Sequence, residues 1–195
     1  HPYFPLRFLE ADAATPEEAR QTCAVWVEGD ELWALNRGAA TGDVAPVSGN
    51  HDLRHLRTLA EIEAGIEGRM PVLLYGRRDA LEAAARSAGG DVPNTADAPD
   101  APGGITSGVW DQASGLAITF ETSRAFGTVA LYRPPDPMRV SLEPRAALPD
   151  ALHVAHMRPN VPTGLRTLAP GARYRAWARL SLTQRTLAGS PMLTT

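Results

Sequence analysis

The residues best placed for acid–base chemistry lie around one carboxylate. Val140-Ser141-Leu142-Glu143-Pro144 reads as the end of a strand, with a glutamate followed at once by proline. Proline disfavours helical geometry in the residue before it, so Glu143 is held extended and its side chain leaves the strand in a fixed direction. Alone, a glutamate at a strand end is a solvated charge; a carboxylate with a fixed direction is a candidate general base. The histidines could serve a different chemistry. His51 and His55 would share one face of a helix, and His153 and His156 stand three apart, spacings compatible with a mononuclear metal site. Against that stand the lack of a His-Glu-x-x-His arrangement, the lack of a cysteine ligand, and the turn-forming Asn50 and Asp52, so no metal is expected. His1 as a free terminus would permit a copper brace built from the amine, its own imidazole and a second histidine, an oxidoreductase reading that requires secretion. Trp26, Trp33, Trp110 and Trp177 could stack on the apolar face of a sugar or simply fill a core.

Composition removes several alternatives. All 19 basic residues are arginine, which excludes Schiff-base catalysis and a Walker-type phosphate loop, because both need a lysine amine. The formal net charge is −3 and the arginines are scattered, so no basic field exists to concentrate nucleic acid or anionic lipid. Cys23 is the single cysteine; it can form no intrachain disulfide and no thiolate metal site, and a reducing cytoplasm is the simplest home. No apolar run of about 20 residues is present to span a bilayer, and the N-terminus lacks the basic-then-apolar order of a signal peptide. At 195 residues with 44% hydrophobic and 21% charged, the chain can bury one sizeable core.

The elements that must position Glu143 read as β. Short segments rich in Val, Leu, Trp, Tyr and Phe alternate with Gly, Pro, Asn and Asp, the pattern of strands joined by turns. Strands are expected over Pro5 to Phe8, Cys23 to Val27, Glu31 to Asn36, Leu116 to Thr122, Thr128 to Arg133, Val140 to Glu143 and Tyr174 to Leu182. The last has a period of two, with Tyr174, Ala176, Ala178, Leu180 and Leu182 on one face. Thr15-Pro16-Glu17-Glu18 supplies an N-cap, a first-turn proline and first-turn acids, predicting a helix to about Thr22. Asp79 to Ala88 is alanine-rich and ends at Gly89-Gly90, predicting a second helix. A Pro, Gly, Asp and Ala segment follows to Gly104, a functional or mobile loop. No internal repeat and no domain boundary is evident.

Around Glu143 an ordered series of short motifs stands in the sequence. Leu131-Tyr132-Arg133-Pro134-Pro135 precedes it; Pro149-Asp150-Ala151 and Gly164-Leu165-Arg166-Thr167-Leu168-Ala169-Pro170-Gly171 follow. The chain opens on His1-Pro2-Tyr3-Phe4, and Thr41-Gly42 and Asp52-Leu53-Arg54 lie between. In order and spacing the series resembles the aldose 1-epimerase (galactose mutarotase) family. That resemblance implies an all-β, galactose mutarotase-like β-supersandwich as a single domain over residues 1–195, apparently lacking its N-terminal strands and the histidine they carry in that family. It implies an isomerase acting on a small-molecule sugar without cofactor. Glu143 would remove the anomeric proton, His1 would protonate the ring oxygen, and Asp91, in a loop that also holds Asp97 and Asp100, would grip sugar hydroxyls. A carboxylate with an imidazole suits such ring opening on chemical grounds too. The second reading is a non-catalytic carbohydrate-binding module on the same fold, which would keep an aromatic surface without depending on Glu143.

Overall fold

The computed structural model describes residues 2–9, 14–64, 72–79, 81 and 102–185. Two antiparallel sheets face each other. The first, of six strands, comprises β1 (Tyr3–Pro5), β10 (Arg139–Arg145), β9 (Thr128–Tyr132), β6 (Leu73–Gly76), β3 (Glu31–Asn36) and β4 (Ala39–Pro46), in that spatial order. The second, of five, runs β11 (Ala178–Gln184), β8 (Leu116–Thr122), β7 (Ser107–Asp111), β2 (Cys23–Val27), β5 (Arg57–Thr58). Three short helices lie wholly among the described residues, α1 (Pro16–Thr22), α2 (Leu59–Glu63) and α3 (Ala151–Met157).

The strand period of two builds the core. On β10, Val140 and Leu142 point between the sheets with Val129 and Leu131 of β9 and Leu73 and Tyr75 of β6, against Val25, Val27, Val109 and Phe120 of the second sheet. Phe4 and Phe120 meet edge to face, 5.4 Å between centroids, which joins β1 to the opposite sheet. The alternate residues of the first sheet therefore face outward, and a smaller apolar cluster of Trp33, Leu74, Leu81, Ala130, Leu148, Ala151 and Val154 covers part of that outer face. Cys23 is buried, and burial pushes its thiol far above the ordinary range.

The expected strands over residues 23–27, 31–36 and 116–122 coincide with β2, β3 and β8. The α1 helix carries the expected cap: the Thr15 side chain accepts from Glu18 N, and Thr15 N donates to Glu18 Oε2 at 2.8 Å. Differences have physical causes. The first strand is Tyr3–Pro5 and not Pro5–Phe8, because Leu6 N and Phe8 N leave the sheet edge for the Met138 carbonyl and the buried Asp111 carboxylate. The last strand begins at Ala178; Trp177 N bonds instead to Ser123 Oγ, and Leu180 and Leu182 lie on an exposed edge strand. The hairpin from β3 to β4 turns on Arg37 (φ 51°) and Gly38 (φ 86°), a two-residue loop with both central residues left-handed, as strand twist requires. His51 sits in a single 3-10 turn, not on a helix face. The helix expected over residues 79–88 lies largely outside the described residues. Among the described residues no helix is long and apolar enough to cross a membrane.

Candidate functional site

Glu143 lies on β10 with Leu142 and Val140 turned into the core, so Ser141, Glu143 and Arg145 share the outer face of the six-stranded sheet. Strand register places these residues in rows. Tyr3 pairs with Ser141 and Ser141 with Tyr132. Glu143 pairs with Ala130, Ala130 with Leu74, Leu74 with Trp33, and Trp33 with Val44. In the next row Arg145 pairs with Thr128, Thr128 with Gly76, and Gly76 with Glu31. Small residues, Ala130 and Gly76, thus form the floor between two carboxylates on one face.

Glu143 is 6% exposed although it is a carboxylate on an outer face. Arg145, two residues on and therefore beside it, donates from Nη2 to Oε2 at 2.7 Å. Ser141 Oγ lies 3.1 Å from Oε1 and 2.8 Å from the Pro2 carbonyl, a single hydroxyl proton between two acceptors. The Arg145 guanidinium sets one oxygen of the carboxylate, and the Ser141 hydroxyl, whose one proton serves either Glu143 Oε1 or the Pro2 carbonyl, stands against the other. Such anchoring supplies the fixed direction that a general base needs.

The other residues singled out in the sequence fall as follows. His1 and Asp91 lie outside the described residues, as do Asp97 and Asp100. His153 and His156 lie on α3, and no group of three or more potential metal ligands occurs among the described residues. Trp33 and Trp110 are core residues at 3% and 7% exposure, while Trp26 carries the Arg185 guanidinium over its ring at 4.7 Å. The Asp52-Leu53-Arg54 element is an exposed bidentate ion pair around a buried leucine, with Arg54 Nε and Nη2 at 2.8 and 2.6 Å from the carboxylate. The arginine holds the Asp52 carboxyl down at about 2. The Gly164-Leu165 element is structural: Gly164 (φ 74°) abuts the Ala146 carbonyl so closely that no Cβ fits, and Leu165 joins the outer apolar cluster. This contact folds the segment after Glu143 back over the sheet, with Leu148 N bonded to the Thr163 carbonyl at 2.9 Å.

Sequence reasoning missed Arg145 and Ser141 as partners of Glu143, although both stand two residues away and a strand period of two puts them on its face. It also missed the ion pair of Glu31 with Arg78, 47 residues apart, for which no local signal exists.

No protein-family model and no curated protein matches the sequence. Among solved structures, the fold is similar to that of a galactose mutarotase-like protein from Clostridium acetobutylicum, with a TM-score of 0.54 at 16% identity. The match covers 94% of this chain and 46% of that one, so this chain spans about half the length of that protein. At that identity the likeness shows the fold: a mutarotase-like β-sandwich.

Proposed function

We propose that this chain is an aldose 1-epimerase-like isomerase, which interconverts the anomers of an aldohexose by opening and reclosing the ring. One observation carries the reading: on a mutarotase-like sandwich, the glutamate of the Glu-Pro element is a buried carboxylate on the outer sheet face, bonded by Arg145 and within hydrogen-bond distance of Ser141 Oγ. A strand-end glutamate with no task would turn to water.

Glu143 takes the proton from the anomeric hydroxyl, and that oxygen's electrons form the aldehyde C=O as the bond from C1 to the ring oxygen breaks. His1 delivers a proton to the departing ring oxygen, so the sugar leaves as the neutral open chain. Rotation about the C1–C2 bond presents the other aldehyde face, and reclosure returns both protons. In the sequence His1 stands two residues before Tyr3, whose partner Ser141 stands two before Glu143. Asp91 would hold sugar hydroxyls. No cofactor is needed, because the reaction transfers only protons. Arg145 and Ser141 are positioning residues, acting through the Glu143 carboxylate.

The experiment is exchange spectroscopy on the anomers of glucose and galactose, comparing the native chain with Glu143→Gln. The expected result is exchange above the buffer rate that falls to it in the variant. Native exchange that persists in Glu143→Gln refutes the assignment of the base. Sugar binding without any exchange in either protein would favour a carbohydrate-binding module instead.

A further inference from the structure

The two sheets have four edges between them, and one stands open. β1 is three residues long and closes on Pro5, β5 has two residues, and β4 carries a register shift against β3 and closes on Pro46. Shortness, irregular register and proline are devices by which sheet edges avoid further pairing. β11 has none of them: its seven residues pair with β8 in unbroken register, and its other edge pairs with no described strand. The Trp177 carbonyl, just before it, accepts from Ser123 N at 3.0 Å, and Arg185 N, just after it, donates to the Gly115 carbonyl at 2.6 Å. Odd-numbered residues thus turn their backbone groups to β8, while Ala178, Leu180, Leu182 and Gln184 turn theirs to the free edge.

The side chains add an apolar face. Leu180 stands opposite Phe120 and Leu182 opposite Ile118, so both leucines point to the side of the sheet that holds the core. Cover from the first sheet stops at β1, whose Phe4 meets Phe120. Past that contact Leu180 and Leu182 are 54% and 65% exposed. Ala178 and Gln184 complete this face, which carries no charge. On the opposite face Arg179 is tied to Glu121, Nε to Oε2 at 2.8 Å.

We infer that β11 is the interface of a homodimer, in which two copies of this chain join their second sheets edge to edge, antiparallel about a twofold axis through Ser181. The strand fits itself. Outward backbone groups sit on even-numbered residues, so even must bond to even, and centring the axis on Ser181 pairs all seven residues. Leu180 then lies beside the partner's Leu182, and Arg179 faces the partner's Thr183 instead of a second arginine. An axis perpendicular to the sheet keeps both first sheets on one side, so the four leucines form one apolar strip between them. A foreign strand could bond to the same edge; the match of leucine to leucine in the full-length register selects a second copy, through the isologous contact that most homodimers use. Glu143 lies on the outer face of the other sheet, so this pairing is independent of the chemistry proposed there.

Sedimentation equilibrium of the native chain over a range of concentrations is expected to show a dimer, and Glu143→Gln should behave alike. Leu182→Lys sets a charge on the apolar strip at an exposed position, and it is expected to raise the dissociation constant at least about tenfold. Ser181→Cys tests the register. Facing residues of a non-hydrogen-bonded pair have Cα atoms about 4.5 Å apart, within disulfide range, so mild oxidation should cross-link this variant into a covalent dimer. Thr183→Cys, whose two copies would lie about 13 Å apart along the strands, should not cross-link. The native Cys23 is buried and offers no competing thiol. A native chain that stays monomeric, a dimer that Leu182→Lys leaves as tight, or cross-linking as efficient at position 183 as at 181 would each overturn the inference. Should circular dichroism show that Leu182→Lys does not fold, the two cysteine variants decide.

Discussion

Glu143-Pro144-Arg145 and Asp52-Leu53-Arg54 are the same pattern in sequence, a carboxylate and an arginine two apart, and both close into an ion pair. Their surroundings differ. The first lies along a strand, where period two puts both side chains on one sheet face and neighbouring strands enclose the carboxylate to 8% side-chain exposure. The second lies in a loop after a 3-10 turn, with Arg54 half exposed and the leucine between them supplying the only buried side chain of the three. Spacing therefore creates the pair, and burial decides what it is for. In the loop it pins a turn, while on the sheet it aims a carboxylate.

The sharpest way to break this comparison is to remove each carboxylate's charge in turn. Glu143→Gln should lower anomer exchange at least about 100-fold, the scale of losing a general base. Asp52→Asn should leave exchange within about twofold, since it touches no proposed reacting group. Exchange spectroscopy on both variants checks this, and equal losses would show that the two motifs are not functionally distinct.

How far the sequence carries this distinction can be seen residue by residue. Cys23–Val27, Glu31–Asn36 and Leu116–Thr122 are legible because β-branched and aromatic residues fill them and turn residues bound them. Ala39–Pro46 is not, because its Ala, Gly, Asp and Pro residues are poor strand formers; it is a strand because the Arg37-Gly38 turn delivers it beside β3. Ser107–Asp111 is buried at every position and too short to show a period. The Glu143 candidate is legible through the proline after it. Its enclosure is not, since that depends on Gly164 folding the downstream segment onto Ala146. The partnership of Glu31 with Arg78 needs β3 and β6 to be neighbours, which no local pattern announces.

Packing separates the two regions next. A Cβ on Gly76, in the floor between Glu143 and Glu31, would come within 2.4 Å of Trp33 Nε1, whereas one on Gly49, beside the Asp52 loop, would meet nothing within 4 Å. Gly76→Ala should therefore cost about 3 kcal/mol by overpacking. Gly49→Ala, strained only by its φ of 57°, should cost about 1 kcal/mol. Urea unfolding of the two variants measures the difference, and equal costs would mean that the sheet face yields as easily as the loop.

Breaking the ion pairs themselves gives a smaller contrast. Arg145→Met leaves Glu143 enclosed without its guanidinium. With Arg145 34% exposed, water can partly replace it, and the loss should be about 2 kcal/mol, below that of a fully buried pair. Arg54→Met should cost no more than about 1 kcal/mol, and salt should shrink even that. Denaturation midpoints at low and high ionic strength test both halves, and a salt-sensitive Arg145 effect would contradict the enclosure of Glu143.

The smallest effect is on acid stability, and it belongs to the loop. Bonds from Arg54 hold the folded Asp52 carboxyl at about 2, below its ordinary value near 3.8. A depressed folded value means that the unfolded chain takes up the proton first. The stabilisation is therefore fully present above about pH 4 and drains away as pH falls through about 2. Asp52→Asn should accordingly flatten the native chain's stability profile only between about pH 4 and 2 and leave it parallel above. The carboxylate is near the surface, so the difference should be a small shift in the acid-unfolding midpoint. A variant whose profile diverges near neutral pH would show that Asp52 answers to some group other than Arg54.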